Sequence, residues 1–361
     1  MPTSKVRQIL FVLALLFLLL IVLEEFGPIG PDFYYTFVPV TRRFFTGKSL
    51  LYDERSFGFY NAPWTVFVTA PFAILPITWG QALWSVFTLA GMLFSISRFL
   101  SLCCSASKRH QRRIFAVAFA LINLHTADLI LRGNVEGFLS WGLGFLLQAL
   151  TTSSPLLLGF GWWLLSIKPI NVLLISAFSF LYVLRTGNKH IILKGLLPLL
   201  TTFLLSFSIF GHDWPIRYWV SFSQHPPMIE FQTSLWRAFH FFGLSKEKAI
   251  LLNLALFFLF FALTLGIFVR NRFALHEWMP LGLTTNLLFS PYTLGSHYVL
   301  LSPVLAWLVY TNPIFVFIWL TTWTPLLRLF FGVQVAWVDL LYPLTLWIST
   351  WWLLLLRKPS S

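Results

Sequence analysis

Residues 249–269 read AILLNLALFFLFFALTLGIFV, a run without one charged side chain. An apolar stretch longer than about 18 residues is what a helix needs to cross a bilayer core about 30 Å thick. Comparable runs recur along the chain, at roughly 8–25, 62–77, 80–98, 114–131, 133–150, 155–167, 169–184, 192–211, 278–290, 298–310, 314–330 and 337–356. Several fall short of a full crossing, which predicts kinked, tilted or partly re-entrant helices. The 361 residues are 58% hydrophobic and 10% charged, against about 25% charged in soluble domains. The sequence therefore predicts an all-α polytopic membrane protein with about 11–13 crossings. Residues 1–361 read as a single integral membrane domain, with no soluble domain and no low-complexity linker.

The formal net charge is +13. Its basic residues gather in short segments beside apolar runs: Lys5 and Arg7; Arg98, Lys108, Arg109, Arg112 and Arg113; Arg185, Lys189 and Lys194; Arg270 and Arg272; Arg357 and Lys358. That pattern is the positive-inside signal and it favours membrane lipids with anionic headgroups, so no nucleic-acid partner is predicted. With these segments cytosolic, residues 26–61, 212–248 and 290–297 and the turn at Lys168 share the opposite face. One conflict stands at 62–98, which reads as two spans where an odd number is needed. Either one run there is re-entrant or the basic loop at 98–113 departs from the rule.

Residues 9–23 follow Lys5 and Arg7 and end at Glu24-Glu25-Phe26, not at a small-residue cleavage pattern. They read as an uncleaved anchor helix. Cys103 and Cys104 are adjacent and lie beside a basic loop, which argues against a structural disulfide, and no partner residues make them metal ligands.

Two polar stretches interrupt the apolar runs. In the first outer loop, 26–61, Phe33, Phe37, Val40 and Phe44 repeat at helical spacing with Arg42, Arg43 and Lys48 nearby. This predicts a short amphipathic helix in the headgroup region, bent at Pro39, with Asp32 in its first turn. The second outer loop, 212–248, carries Trp214, Tyr218, Trp219, Trp236 and Phe239, a composition suited to an interfacial cap over a cavity.

Few ionisable residues stand where chemistry could use them. Asp32, in Gly30-Pro31-Asp32-Phe33-Tyr34-Tyr35, reads either as an N-cap or as a general base taking a proton from a hydroxyl. Lys168, in Ser166-Ile167-Lys168-Pro169, is flanked by apolar runs. It is either a snorkelling lysine at a turn or a cation for a lipid phosphate. His297, in Ser290-Pro291-Tyr292-Thr293-Leu294-Gly295-Ser296-His297-Tyr298, is either an interfacial histidine packed near Tyr298 or a group that binds phosphate or shuttles a proton. Arg132 and Glu136 border a tight turn and either pair across one helical turn or serve a site. Glu24 and Glu25 read as a helix-end pair and Asp53 and Glu54 as loop acids, while Asp128 and Asp213 remain minor candidates. No phosphate-binding glycine loop, HExxH or nucleophile elbow is present, so nucleotide and hydrolase chemistry have no positive signal.

In order, Pro31-Asp32-Phe33-Tyr34-Tyr35, Phe44-Phe45-Thr46-Gly47-Lys48-Ser49-Leu50-Leu51-Tyr52-Asp53, Tyr60-Asn61-Ala62-Pro63, Pro71-Phe72 and Leu75-Pro76 resemble family 87 of the GT-C membrane glycosyltransferases, which includes polyprenol-phosphate-mannose-dependent mannosyltransferases of envelope glycolipid synthesis. The resemblance continues through Arg132-Gly133-Asn134-Val135, where the family shows Gly-Gln-Val-Asn, then Lys168-Pro169 and the loop from Ser290-Pro291 to His297. It covers about residues 10–310 and departs at Glu136, where an amide is common. It implies a GT-C-like helical bundle in the plasma membrane. The implied activity moves a sugar, mannose by default, from a polyprenyl-phosphate donor to a lipid or glycan acceptor on the extracytoplasmic side, with inversion. By the same resemblance Asp32 is the base. Lys168, His297 and Arg132 are candidates for the donor phosphate, and Tyr34, Tyr35, Trp64 and Tyr298 for lining the sugar or acceptor. No metal or other cofactor is expected. Competing readings are a transporter or lipid flippase, which would also use broken helices and buried charges, and a structural or assembly protein, which would give Lys168 no reason.

Overall fold

A backbone in lipid has no water to bond with, so apolar runs must satisfy their amides internally and fold as helices. The computed structural model describes residues 4–47, 51–52, 58–103, 110–185, 189–224, 232–270 and 275–356, and among them every regular element is helical. Lys48, Asp53, Glu54, Arg55, Cys104, Lys108, Arg109, Arg272, Arg357 and Lys358 lie outside the described residues, as do the side chains of Lys5, Arg7 and Lys189.

Three helices among the described residues are long and apolar enough to cross a membrane: Ile77–Cys103, His190–Phe210 and Lys246–Arg270, the last containing the run at 249–269. The pair His110–Leu121 and Leu124–Arg132 makes a fourth if its 53° bend lies within one span. The chain is a helical membrane protein. The bend has a local cause. Asn123 donates to Ala120 O at 2.8 Å and accepts from Thr126 N–H at 2.9 Å, ending one helix and capping the next. Pro155–Leu165, Leu173–Arg185 and Pro313–Leu326 are apolar but shorter.

The run at 62–77 is not a span. Its helix, Thr65–Ala73, has 9 residues and so is about 14 Å long, half of a bilayer core. Arg42 closes that helix, donating from Nε to Ala73 O at 2.6 Å and from Nη2 to Leu75 O at 2.9 Å. A cation on terminal carbonyls complements the helix dipole. Residues 62–98 therefore hold one helix of crossing length, which continues to Cys103. The stretch 212–248 contains the helices Trp214–Gln224 and Leu235–Phe241, not one continuous loop.

Packing divides the chain into two compact units: Met1–Ala90 with Ile130–Gly137 and Leu204–Pro227, and Gly91–Leu129 with Phe138–Phe203 and Met228–Ser361. In the first, Phe33, Phe37 and Phe72 surround Trp84 at ring-centroid distances of 5.2, 5.5 and 5.3 Å. Aromatic rings bury large apolar areas and dominate such cores. Tyr52 lies among Phe59, Trp214 and Tyr218, and its hydroxyl donates to Asn61 O at 2.5 Å. Burial pushes its phenol well above the ordinary value, so it stays a donor at any physiological pH. In the second unit, Phe257, Leu288, Phe289 and Leu340 form one apolar cluster and Met92, Leu129 and Val299 another.

Candidate functional site

The first candidate group lies in the first unit. Asp32 opens a π-helical turn, Asp32–Phe37, that runs into the α-helix Val38–Phe45. Pro39 cannot donate to the preceding turn, and Val38 N–H reaches back five residues to Phe33 O. The spacing read from the sequence is helical as predicted: Phe33, Phe37 and Val40 are buried and Phe44 half-buried. Pro31 occupies the cap position, so Asp32 sits one residue inside the helix, where a carboxylate also favours the N-terminal dipole. Its Oδ2 accepts from Asn134 Nδ2 at 3.0 Å, across 102 residues of sequence.

Asn134 is held from several sides. Its Oδ1 accepts from Val135 N–H at 2.7 Å, and its backbone carbonyl accepts from Trp84 Nε1 at 3.2 Å. Gly133 before it has φ +68°, a conformation open to glycine, and this ends the helix Leu124–Arg132 before Glu136–Thr152 begins. Arg132 and Glu136 therefore stand on different helices, at the end of one and the start of the next. Gly30 packs directly on the Arg132 carbonyl and Gly133 amide, and Gln81 accepts from Gly30 N–H at 3.3 Å. A Cβ at Gly30 would collide with backbone that cannot move aside. Gly30→Ala is expected to destabilise the protein by about 1–3 kcal/mol, read as a lower unfolding temperature in detergent. An unchanged midpoint would show that this contact does not hold the Asp32 turn.

The second group lies in the second unit. Pro169 disfavours helical geometry for Lys168, which adopts φ −133° and ψ 77° between Pro155–Leu165 and the 3-10 turn Pro169–Asn171. Asn286 fixes this turn, donating to Ile170 O at 2.9 Å and accepting from Leu174 N–H at 2.9 Å. The helix Leu275–Phe289, which carries Asn286, leads into the loop of His297. There Lys168 Nζ and His297 Nε2 meet at 3.3 Å, 129 residues apart in sequence. His297 is fully buried, and its Nδ1 accepts from Leu294 N–H at 3.2 Å. A lysine head group and a ring nitrogen whose donor or acceptor role follows the tautomer thus converge. With the ring N–H as donor, an oxyanion can accept from both. In the same turn Asn171 is fully buried, and neither its amide oxygen nor its amide nitrogen has a hydrogen-bond partner.

No family model, curated protein or solved structure matches this chain. The site is therefore read from its own chemistry. Among the remaining sequence candidates, Tyr34 and Tyr35 form an exposed edge-to-face pair at 4.8 Å. Trp64 is buried against Trp214 at 6.4 Å. Tyr298 is fully buried, donating to Thr233 O at 3.0 Å. Among the described residues no three His, Cys, Asp or Glu side chains come together as metal ligands. An open cleft of about 340 Å³ is lined by Leu93, Phe94, Ser97, Arg98, Ser101 and Arg113, none of them a site candidate. Arg113 there donates to Ser97 O at 3.0 Å and to Ser101 Oγ at 2.9 Å.

Sequence reasoning missed Asn134, Asn171 and Asn286. Their signal was available, since each is an amide beside or within an apolar run, where an unsatisfied polar group is costly. Asn134→Ala removes the amide that orients Asp32. If Asp32 is a base, transfer should slow by about 100-fold through misplacement alone, with KM for the donor little changed. A rise in KM at constant kcat would instead make Asn134 part of substrate binding.

Proposed function

We propose that this protein is a membrane glycosyltransferase that moves a sugar from a polyprenyl-phosphate donor to an acceptor hydroxyl of an envelope lipid or glycan. The observation that carries the reading is the approach of Lys168 Nζ to His297 Nε2 at 3.3 Å. A half-buried lysine beside a buried histidine in a helical membrane protein suits a lipid-borne phosphate, whose negative charge grows as the glycosidic bond breaks. Asp32, oriented by Asn134, takes the proton of the attacking hydroxyl. That oxygen bonds to the anomeric carbon as the C–O bond to the lipid phosphate breaks, the phosphate keeps the bonding electrons, and the anomeric centre inverts. Arg132 ends the helix beside the Asp32 turn, and the exposed Tyr34 and Tyr35 supply rings for the apolar faces of sugars, whereas Trp64 and Tyr298 are buried in packing. The resemblance to the GT-C glycosyltransferases supports a bundle of about 11–13 crossings. The basic segments support a plasma-membrane orientation with Asp32 and Lys168 on the extracytoplasmic side.

The bent pair His110–Leu121 and Leu124–Arg132 is also what a transporter or flippase would show. One assay separates the readings. The purified chain is incubated with radiolabelled polyprenyl-phosphate-mannose and an envelope lipid extract, then with other polyprenyl-phosphate sugars. Sugar transferred to lipid or glycan supports the enzyme. No transfer from any donor, with movement of the lipid across proteoliposomes, supports transport.

A further inference from the structure

The open cleft of about 340 Å³ belongs to neither candidate group, and most of its lining comes from one face of one helix. On Ile77–Cys103, Leu93, Ser97 and Ser101 follow one another four residues apart, and Phe94 and Arg98 do the same beside them. Arg113, near the start of the next helix, His110–Leu121, completes the wall. All six residues lie in the second unit. The face is graded from apolar to cationic. Leu93 and Phe94 lie deeper in the apolar run, while Ser97, Arg98 and Ser101 approach the helix end at Cys103. Leu93 and Ser101 stand about 12 Å apart along the axis.

Both arginines are held in place, and no acid lines the cleft. Arg113 donates from Nη2 to Ser97 O at 3.0 Å and to Ser101 Oγ at 2.9 Å, and the Ser101 hydroxyl donates to Ser97 O at 2.7 Å. These bonds use one end of the guanidinium and leave Nε and Nη1 to donate elsewhere. A snorkelling cation reaches out to water, but Arg113 is half-buried and crosses to the neighbouring helix. Arg98 lies over the Phe94 ring, 5.3 Å from its centroid. Phe94 is fixed in turn against Trp141 at 5.1 Å and Phe145 at 5.2 Å. A guanidinium stacked by its face keeps its N–H groups for a partner at its edge. Two like charges on one cleft repel, and an anion between them relieves that cost.

We propose that this cleft binds an anionic glycerophospholipid, with the phosphate between Arg98 and Arg113 and the start of an acyl chain along Leu93 and Phe94. The planar guanidinium fork matches the oxygens of a phosphate, and basic pockets between spanning helices are where anionic headgroups settle. A free phosphate would use only the cationic end of the cleft, whereas a lipid uses both ends. A headgroup bearing an amine would add a third cation with no acid to receive it, so the site selects headgroups of net negative charge. The basic segment at 98–113 puts the cleft in the cytosolic leaflet. The site stands whether or not the protein transfers sugars.

The full chain, purified in detergent and stripped of bound lipid, is titrated with short-chain phosphatidylglycerol, phosphatidylcholine and inorganic phosphate. The wild type is expected to bind phosphatidylglycerol about tenfold or more tighter than either of the others. Arg98→Gln and Arg113→Gln should each weaken phosphatidylglycerol by about tenfold and leave phosphatidylcholine within about twofold. Arg98 is exposed, so its substitution tests the site without touching the bonds that Arg113 makes between helices. Arg270→Gln, at the exposed end of Lys246–Arg270 and outside the cleft, also removes one charge and should change nothing. Equal affinity for the two lipids, or an equal loss in Arg270→Gln, would overturn the site in favour of diffuse surface charge. Inorganic phosphate bound as tightly as phosphatidylglycerol, and lost in the same two variants, would overturn the lipid and leave the cleft to a free anion.

Discussion

Asp32→Asn should lower sugar transfer by about 10²–10⁴-fold, the usual contribution of a positioned general base. The substitution is nearly isosteric. Asn134 Nδ2 donates to Asp32 Oδ2 at 3.0 Å, and an amide oxygen at position 32 can still accept that bond. What is lost is basicity, not the turn. Expression, unfolding temperature and donor binding should therefore stay close to wild type while kcat collapses. Asp32→Glu keeps a carboxylate but moves it by one methylene away from Asn134, so a partial loss is expected there. Undiminished transfer by Asp32→Asn would remove Asp32 as the base and return it to a purely structural role in the first turn of its helix.

The sequence and the structure agree where the physics is local and part company where it is not. The run at 249–269 needed only hydropathy, and it lies inside one helix, Lys246–Arg270. The spacing of Phe33, Phe37 and Val40 likewise needed only the helical period. The run at 62–77 misled because composition measures apolarity and not continuity. Its helix carries Pro71 within it and ends at Ala73, before Leu75-Pro76, after 9 residues. The bend at Asn123 was invisible for a similar reason: one side chain, bonded both ways, breaks an otherwise apolar run. In the candidate site, Asp32, Lys168 and His297 stood out as scarce polar groups. Their partners did not, because Asn134 and Asn286 act through contacts 102 and 112 residues away. The approach of Gly30 to the Arg132 carbonyl has no trace in either segment read alone.

Lys168→Ala and His297→Gln should each cost about 10²–10³ in transfer, the scale measured when one donor to a developing oxyanion is removed. The pairing makes a sharper forecast. Lys168 Nζ and His297 Nε2 lie 3.3 Å apart, close enough to share one phosphate oxygen. Groups that act on the same oxyanion are not independent, so the double variant should lose clearly less than the product of the two single losses. Their effects on binding should run in parallel too, with both weakening bare polyprenyl phosphate and its glycosylated forms alike. His297→Gln holds a further test, because Leu294 N–H donates to the His297 ring at Nδ1. A glutamine oxygen can accept that bond and leave the loop in place, whereas His297→Ala orphans a backbone amide and should cost stability as well as activity. If the two single losses multiply in the double variant, the two donors serve different atoms, and the convergence that carries the functional reading would be a packing contact instead.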